Sequence, residues 1–192
     1  MTAVDALTMA RYADVIRLRA VRMVAPHGFG YLGQALSSAE LFATLYSRHY
    51  DHGRDSLVVS PGHYIIAASA AAPEAGLLDV EALATYGFDD SSLEAIGTER
   101  SPAVDLTGGS LGMGLSGAAG LALADRLQGR SDARVFAVVS DGELEEGQVW
   151  EAALFAAHNR LGSLTVLLEP PSSPERSLHG PSYELVSAAL HE

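Results

Sequence analysis

The chain has 192 residues and a net charge of −12, and 48% of its residues are hydrophobic against 19% charged. That balance fits a packed domain with a proper core and excludes a disordered chain. There is no cysteine, which excludes disulfides, thiolate–zinc sites and thiol catalysis; the twelve basic residues are all arginine, which excludes Schiff-base chemistry and a P-loop lysine.

An acidic chain without a basic cluster is a poor nucleic-acid binder. No apolar run reaches the ~18–20 residues that a membrane span needs. Residues 1–21 carry Asp5 and Asp14 and lack the layout of a signal peptide. The expectation is a soluble, cytoplasmic protein with neither nucleic acid nor membrane as partner.

Residues 5–24 set Leu7, Ala10, Ala13, Ile16 and Val24 at helical spacing among four arginines, and Pro26 stops the predicted helix. HGFGYLGQ (27–34) reads as a glycine-punctuated loop. Ser37 or Ser38 can cap a helix that runs through Leu41, Leu45 and Tyr46. SLVVS (56–60) predicts a buried strand, followed by Pro61-Gly62-His63 and an alanine-rich helix to about Ala72. Residues 79–86 predict a short helix, and 87–107 a loop. GGSLGMG (108–114) opens into a helix of small residues. RVFAVVS (134–140) predicts a strand, DGELEEGQ a turn, and 149–161 a helix on which His158 reads as a packing residue. SLTVLLE (163–169) is the next strand; a Pro/Ser loop and a short last helix follow. This alternation predicts an α/β fold, a mostly parallel sheet with helices on both faces.

In such sheets ligands bind beyond the carboxyl ends of the strands. Three loops are delivered there: Ser60-Pro61-Gly62-His63, the glycine-rich 108–114, and Ser140-Asp141-Gly142-Glu143. Glycine-rich turns let backbone N–H groups approach an anion. Asp141 can serve an anion only through a divalent cation, and its hard oxygens suit Mg²⁺ or Ca²⁺. Singly, each feature has a plainer reading. The glycines make a tight helix start, Asp141-Gly142 an ordinary turn, His63 a loop histidine, and Glu143, Glu145 and Glu146 a solvated acidic turn. Together they point to a metal–diphosphate cofactor site.

At this level the chain resembles the transketolase family. DGELEEGQVWEAALFAAHNRLGSLTVLL is similar to the family's thiamine diphosphate motif. GGSLGMGLSGAAGLALA resembles its glycine-rich segment, LVVSPGHYIIAASAA its strand–loop–helix with Ser-x-Gly-His, and LSSAELFATLY its early helix. The four stand in family order over about residues 20–168. The resemblance implies the thiamine-diphosphate-binding fold, with thiamine diphosphate and Mg²⁺ as cofactors. It assigns Asp141 to the metal, and Gly142 with Glu143 to the cofactor. His63 lies against the diphosphate as the candidate catalytic residue, and Gly109, Leu111 and Gly112 lie against the aminopyrimidine and linker. It places Glu146 at an interface with the other half of the active site; Glu151 matches a further acidic position of the motif.

The chain departs from the family pattern in four ways. Where a metal-binding Asn is usual there is Pro171, whose carbonyl remains a candidate ligand; the nearest carboxylate, Glu169, is two residues away. Gly97-Thr98-Glu99 and Gly30-Tyr31-Leu32-Gly33 stand where the family carries Gly-His-Pro segments. The family's domain continues further, so residues 1–192 are expected to be a single diphosphate-binding domain shortened at its C-terminal end. The catalytic glutamate of the family sits in a pyrimidine-binding domain that this sequence lacks. The resemblance therefore implies one half of a split enzyme, paired with a pyrimidine-domain subunit in a heterodimer or heterotetramer. The implied reaction moves a two-carbon ketol unit from a ketose to an aldehyde-type acceptor, and loss of two sugar-facing histidines implies substrates other than ordinary sugar phosphates. The alternative is a degenerate, non-catalytic subunit that stabilises or regulates its partner.

Overall fold

The computed structural model describes residues 3–169, with side chains from Ala6 onward. The long first helix, α1, spans Ala3–Val24 and buries Ala13, Ile16, Ala20 and Met23. Two short helices follow, α2 (Leu32–Ser37) and α3 (Ala39–Thr44), with a π-turn over Leu45–His49. Part of the segment read as a loop is thus helical. Ser38 occupies the N-cap position of α3, yet its hydroxyl donates to the Gln34 carbonyl (2.7 Å) and caps nothing. The expected side-chain cap is absent because α2 runs straight into α3 and offers a closer acceptor.

Strand β1 (Ser56–Val59) leads through a 3-10 turn to α4 (Ile65–Ala71), every residue of which is buried. A 3-10 segment occupies Val80–Thr85. Strand β2 is only Leu106–Thr107, inside the stretch read as loop. Then come α5 (Met113–Leu127), β3 (Val135–Ser140), α6 (Gly147–His158) and β4 (Leu164–Glu169). His158 is exposed, not packed, because it falls on the outer face of α6 as the helix ends.

The four strands form one all-parallel sheet in the order β2-β1-β3-β4. This is the α/β architecture expected from the sequence. Alternate residues of β3 face opposite cores. Phe136 and Val138 pack with α1, α3 and α4, whereas Val135, Ala137 and Val139 pack with α5 and α6. Burial on both faces explains why the strand reads as an unbroken apolar run.

Two polar anchors fix the amino end of the sheet. The buried Asp55 accepts from Arg54 Nε (2.9 Å), Arg134 Nη2 (2.6 Å) and two backbone N–H groups. Burial raises its carboxyl pKa, but the two arginines and the backbone donors outweigh it and hold the group below the usual carboxylate range. Asp105 accepts from the Leu57 N–H (2.7 Å), which ties the start of β1 to the approach to β2. Among the described residues, no helix is long and apolar enough to cross a membrane.

Candidate cofactor site

The strands β1, β2 and β3 end at Val59, Thr107 and Ser140, so three loops leave from one edge of the sheet. Glu143 joins them. It is fully buried, and Oε1 accepts from the Ser60 hydroxyl (2.6 Å) and the Gly112 N–H (2.8 Å). Its Oε2 accepts from the Ser140 N–H (3.0 Å), the reach-back of a capping box at the 3-10 turn Asp141–Glu145. Ser60 Oγ in turn accepts from the Gly114 N–H (3.1 Å). One carboxyl group thereby links the loops after β1, β2 and β3. The turn is solvated at Glu145 and Glu146, as its composition suggests, but not at Glu143.

The glycines near Ser60 are required by contact. A Cβ on Gly114 would lie 2.4 Å from the Ser60 Cα, and one on Gly108 would lie 2.2 Å from the Ser60 carbonyl oxygen. Gly112 has φ 84°, and a Cβ there would press on Glu146. Gly109 and Gly142 differ: a Cβ on either would meet nothing within 4 Å. Their backbones border open space at the mouth.

Asp141 sits half-exposed at the start of its turn and has no hydrogen-bond donor among the described residues. Glu169, in register with Ser140 across β3 and β4, is buried beside it. Burial pushes its carboxyl up to about 7, a bond from Ser37 pulls the other way, and Glu40 and Asp141 push it further. Tyr64 is surrounded by the same carboxyls. Burial chiefly raises its hydroxyl pKa, and Glu169, Asp141 and Glu143 add to the rise.

His63 is half-buried in the first loop, its ring against Tyr31 (5.2 Å between centroids) and Tyr64 (5.0 Å). Burial lowers its pKa and Glu143 opposes that, so the imidazole is neutral near pH 7. Tyr31 therefore touches the candidate catalytic histidine. His27 instead packs among the rings of Phe29, Tyr86 and Phe88.

The structure thus gathers His63, Gly109, Gly112, Asp141, Gly142 and Glu143 around one mouth, with Leu111 on its rim at 40% exposure. The N–H of Gly112 is committed to Glu143. Pro171 lies outside the described residues. Among the described residues no group of three or more His, Asp or Glu side chains is arranged to hold a metal ion. The donor chemistry for a hard cation rests on Asp141. Motif matching alone gives no role to the side chains of Ser60 and Ser140. The spacing Ser140-x-x-Glu143 is the signal for the first link, because it matches a capping box.

Glycine-lined backbone bordering open space, beside a free carboxylate at the carboxyl edge of a parallel sheet, defines a diphosphate-cofactor domain. The chain belongs to the transketolase family: the family model described as "Transketolase, thiamine diphosphate binding domain" matches residues 8–172. An uncharacterised transketolase family protein of Sinorhizobium fredii is 39% identical over 172 residues, covering 85% of this chain and 61% of the relative. A 6-deoxy-6-sulfo-D-fructose transketolase subunit of a Clostridium species is 35% identical, covering 82% and 60%. An apulose-4-phosphate transketolase subunit of Actinobacillus succinogenes is 35% identical, covering 83% and 61%. The chain thus spans about 60% of the length of these relatives. Among solved structures, transketolase from Leishmania mexicana superposes with a TM-score of 0.80 at 26% identity, covering 94% of this chain and 30% of that one.

Proposed function

We propose that this chain is the diphosphate-binding subunit of a split, thiamine-diphosphate-dependent transketolase-type enzyme, completed by a pyrimidine-domain partner. The single observation that carries the reading is the buried Glu143, which holds three loops together while leaving Gly109, Gly142 and Asp141 open.

In this reading the bound cofactor supplies the carbanion chemistry that moves a two-carbon ketol unit from a ketose to an aldehyde-type acceptor. Asp141 would hold Mg²⁺, and the backbones at Gly109 and Gly142 would offer N–H groups to the diphosphate. Glu143 acts through the loops it aligns, since its oxygens already serve protein donors. His63, held neutral, can accept or donate a hydrogen bond near the diphosphate. Leu111 and Met113, both exposed beside the mouth, suit contact with a partner that closes over the cofactor. Tyr31 replaces a sugar-facing histidine and covers His63, which favours a substrate with less polar character than a common sugar phosphate.

One observation favours the second reading, a non-catalytic subunit. Among the described residues Asp141 stands without a cluster of further side-chain ligands. Calorimetric titration of thiamine diphosphate with Mg²⁺, into the chain alone and into its complex with the partner, separates the two. Saturable, metal-dependent binding that Asp141→Ala abolishes is the expected result. No binding at millimolar cofactor, in a complex shown to be intact, would leave the scaffold reading standing.

A further inference from the structure

We propose that the cleft between the C-terminal ends of α5 and α6 binds a small phosphate-class anion, at the end of the sheet opposite Asp141. The cleft encloses about 210 Å³ and is lined by Arg126, Arg130, Arg160, Ser131 and Ser163. Residues 129–131 lead into β3 and residues 160–163 into β4, so the cleft lies at the amino ends of the strands. The six residues of β3 separate it from the cofactor mouth by roughly 20 Å.

The cleft gathers three arginines of an acidic chain. Arg17, Arg19, Arg54, Arg100 and Arg134 each pair with a carboxylate. Arg126 and Arg160, like Arg11 and Arg22 of α1, have no such partner among the described residues. Arg126 donates to the Asn159 carbonyl, which ties α5 to the end of α6. Arg130 pairs with the buried Asp125. The other Asp125 oxygen is buried without a donor, so this carboxylate depends on Arg130 and fixes it in place. Three guanidiniums oppose one carboxylate and two helix C-termini worth about half a negative charge each, which leaves about one net positive charge. Asp132, next to Ser131, is exposed and adds a solvent-screened negative charge near the rim.

The plain alternative is that the arginines only neutralise the helix ends. Arg126 does so, but Arg160 does not fit that role. It adopts φ 52°, at the left-handed position after α6 where glycine or asparagine is usual. Among the described residues its side chain has no protein partner, and neither the Ser131 nor the Ser163 hydroxyl has a hydrogen bond; all three line the cleft. One unpaired guanidinium, two partly committed ones and two free hydroxyls around a concave space are donors of the kind that recognise a phosphate group. The group can belong to free phosphate or to a phosphomonoester.

The test is amide NMR of the full chain titrated with inorganic phosphate at constant ionic strength, with glycerol 3-phosphate as a second arm. The expected result is saturable shifts at Gly129, Ser131, Gly162 and Ser163. Arg160→Gly suits the left-handed backbone and preserves the fold; it should weaken binding about tenfold or more, as should Arg126→Gln. Asp141→Ala should leave these shifts in place. Tighter binding of glycerol 3-phosphate than of phosphate identifies a monoester as the occupant, and equal or weaker binding identifies the free ion. Shifts no larger than those with matched chloride, or an affinity unchanged in both arginine variants, overturn the proposal.

Discussion

The Ser60 hydroxyl donates to Glu143 at 2.6 Å across 83 residues of sequence, and the same oxygen accepts from Gly114. The bond joins the loop after β1 to the turn after β3 through a group with no solvent access. Glu143→Ala would leave the Ser60 hydroxyl and the Gly112 and Ser140 N–H groups without their acceptor. We expect a loss of about 3–5 kcal/mol, read from urea unfolding. Glu143→Gln keeps the volume but turns one acceptor into a donor facing donors, and should lose about 2–3 kcal/mol. A midpoint unchanged in both variants would contradict the linking role.

The glycines divide into two sets with opposite expected phenotypes. Gly114→Ala forces a Cβ to within 2.4 Å of the Ser60 backbone, which cannot rotate away, so it should destabilise by about 1–3 kcal/mol or more. Gly142→Ala and Gly109→Ala meet nothing in the protein. Their stability should stay within about 0.5 kcal/mol of the parent chain, while thiamine diphosphate affinity falls about tenfold. Thermal unfolding and calorimetry on the same samples check both halves. Equal cofactor affinity in Gly142→Ala would remove Gly142 from the site.

Glu169 makes stability depend on pH. Its carboxyl stands at about 7 against an ordinary 4.5. Below about pH 4.5 the folded and unfolded chains both keep the proton, so burial brings no electrostatic cost. Between about 4.5 and about 7 the unfolded chain ionises first and the fold loses stability; above about 7 the loss is constant. Glu169→Gln should therefore be more stable than the parent chain by a margin that grows from pH 5 to pH 8. Each kcal/mol of margin should appear as about 2–4 °C in Tm. A margin that is flat across this window would show that the carboxyl is not raised.

Asp55 acts in the opposite sense. Its pKa is depressed, so its stabilisation is present above about pH 4 and is lost as pH falls through the folded value. Asp55→Asn leaves Arg134 and Arg54 without their buried partner and should lose about 2–4 kcal/mol at pH 7. The deficit should narrow in acid. Urea midpoints at pH 3 and pH 7 provide the comparison.

Several elements of this fold are legible from local pattern. Strand β3 is plain as an unbroken apolar run and helix α5 as a run of small residues, and the glycine-rich loop announces a close approach of backbone. Strand β2 carries no such mark. Its two residues pair only because Val58 and Val59 present an open edge to Leu106 and Thr107, a contact across nearly fifty residues that no local window contains. The short α2 is hidden in the same way, since Gly33 argues against a helix and packing of Ala35 overrides it. At the site, Asp141, His63 and the open glycines follow from the motif. The burial of Glu143 does not, because an acidic Glu-x-Glu-Glu turn looks solvated until the Ser60 and Gly112 donors are seen in space.

A mouth whose three loops are already bonded to one another through Glu143 has little left to organise when a ligand arrives. Most of the ordering cost has been met during folding, so it need not be subtracted from the binding free energy. Encounter should then be governed by diffusion, with the loops behaving as a fixed template. Rigidity at the mouth also places any adaptation to different ligands elsewhere, on the exposed rim of Tyr31, Leu111 and Met113. There, side chains can be exchanged without disturbing the bonds beneath.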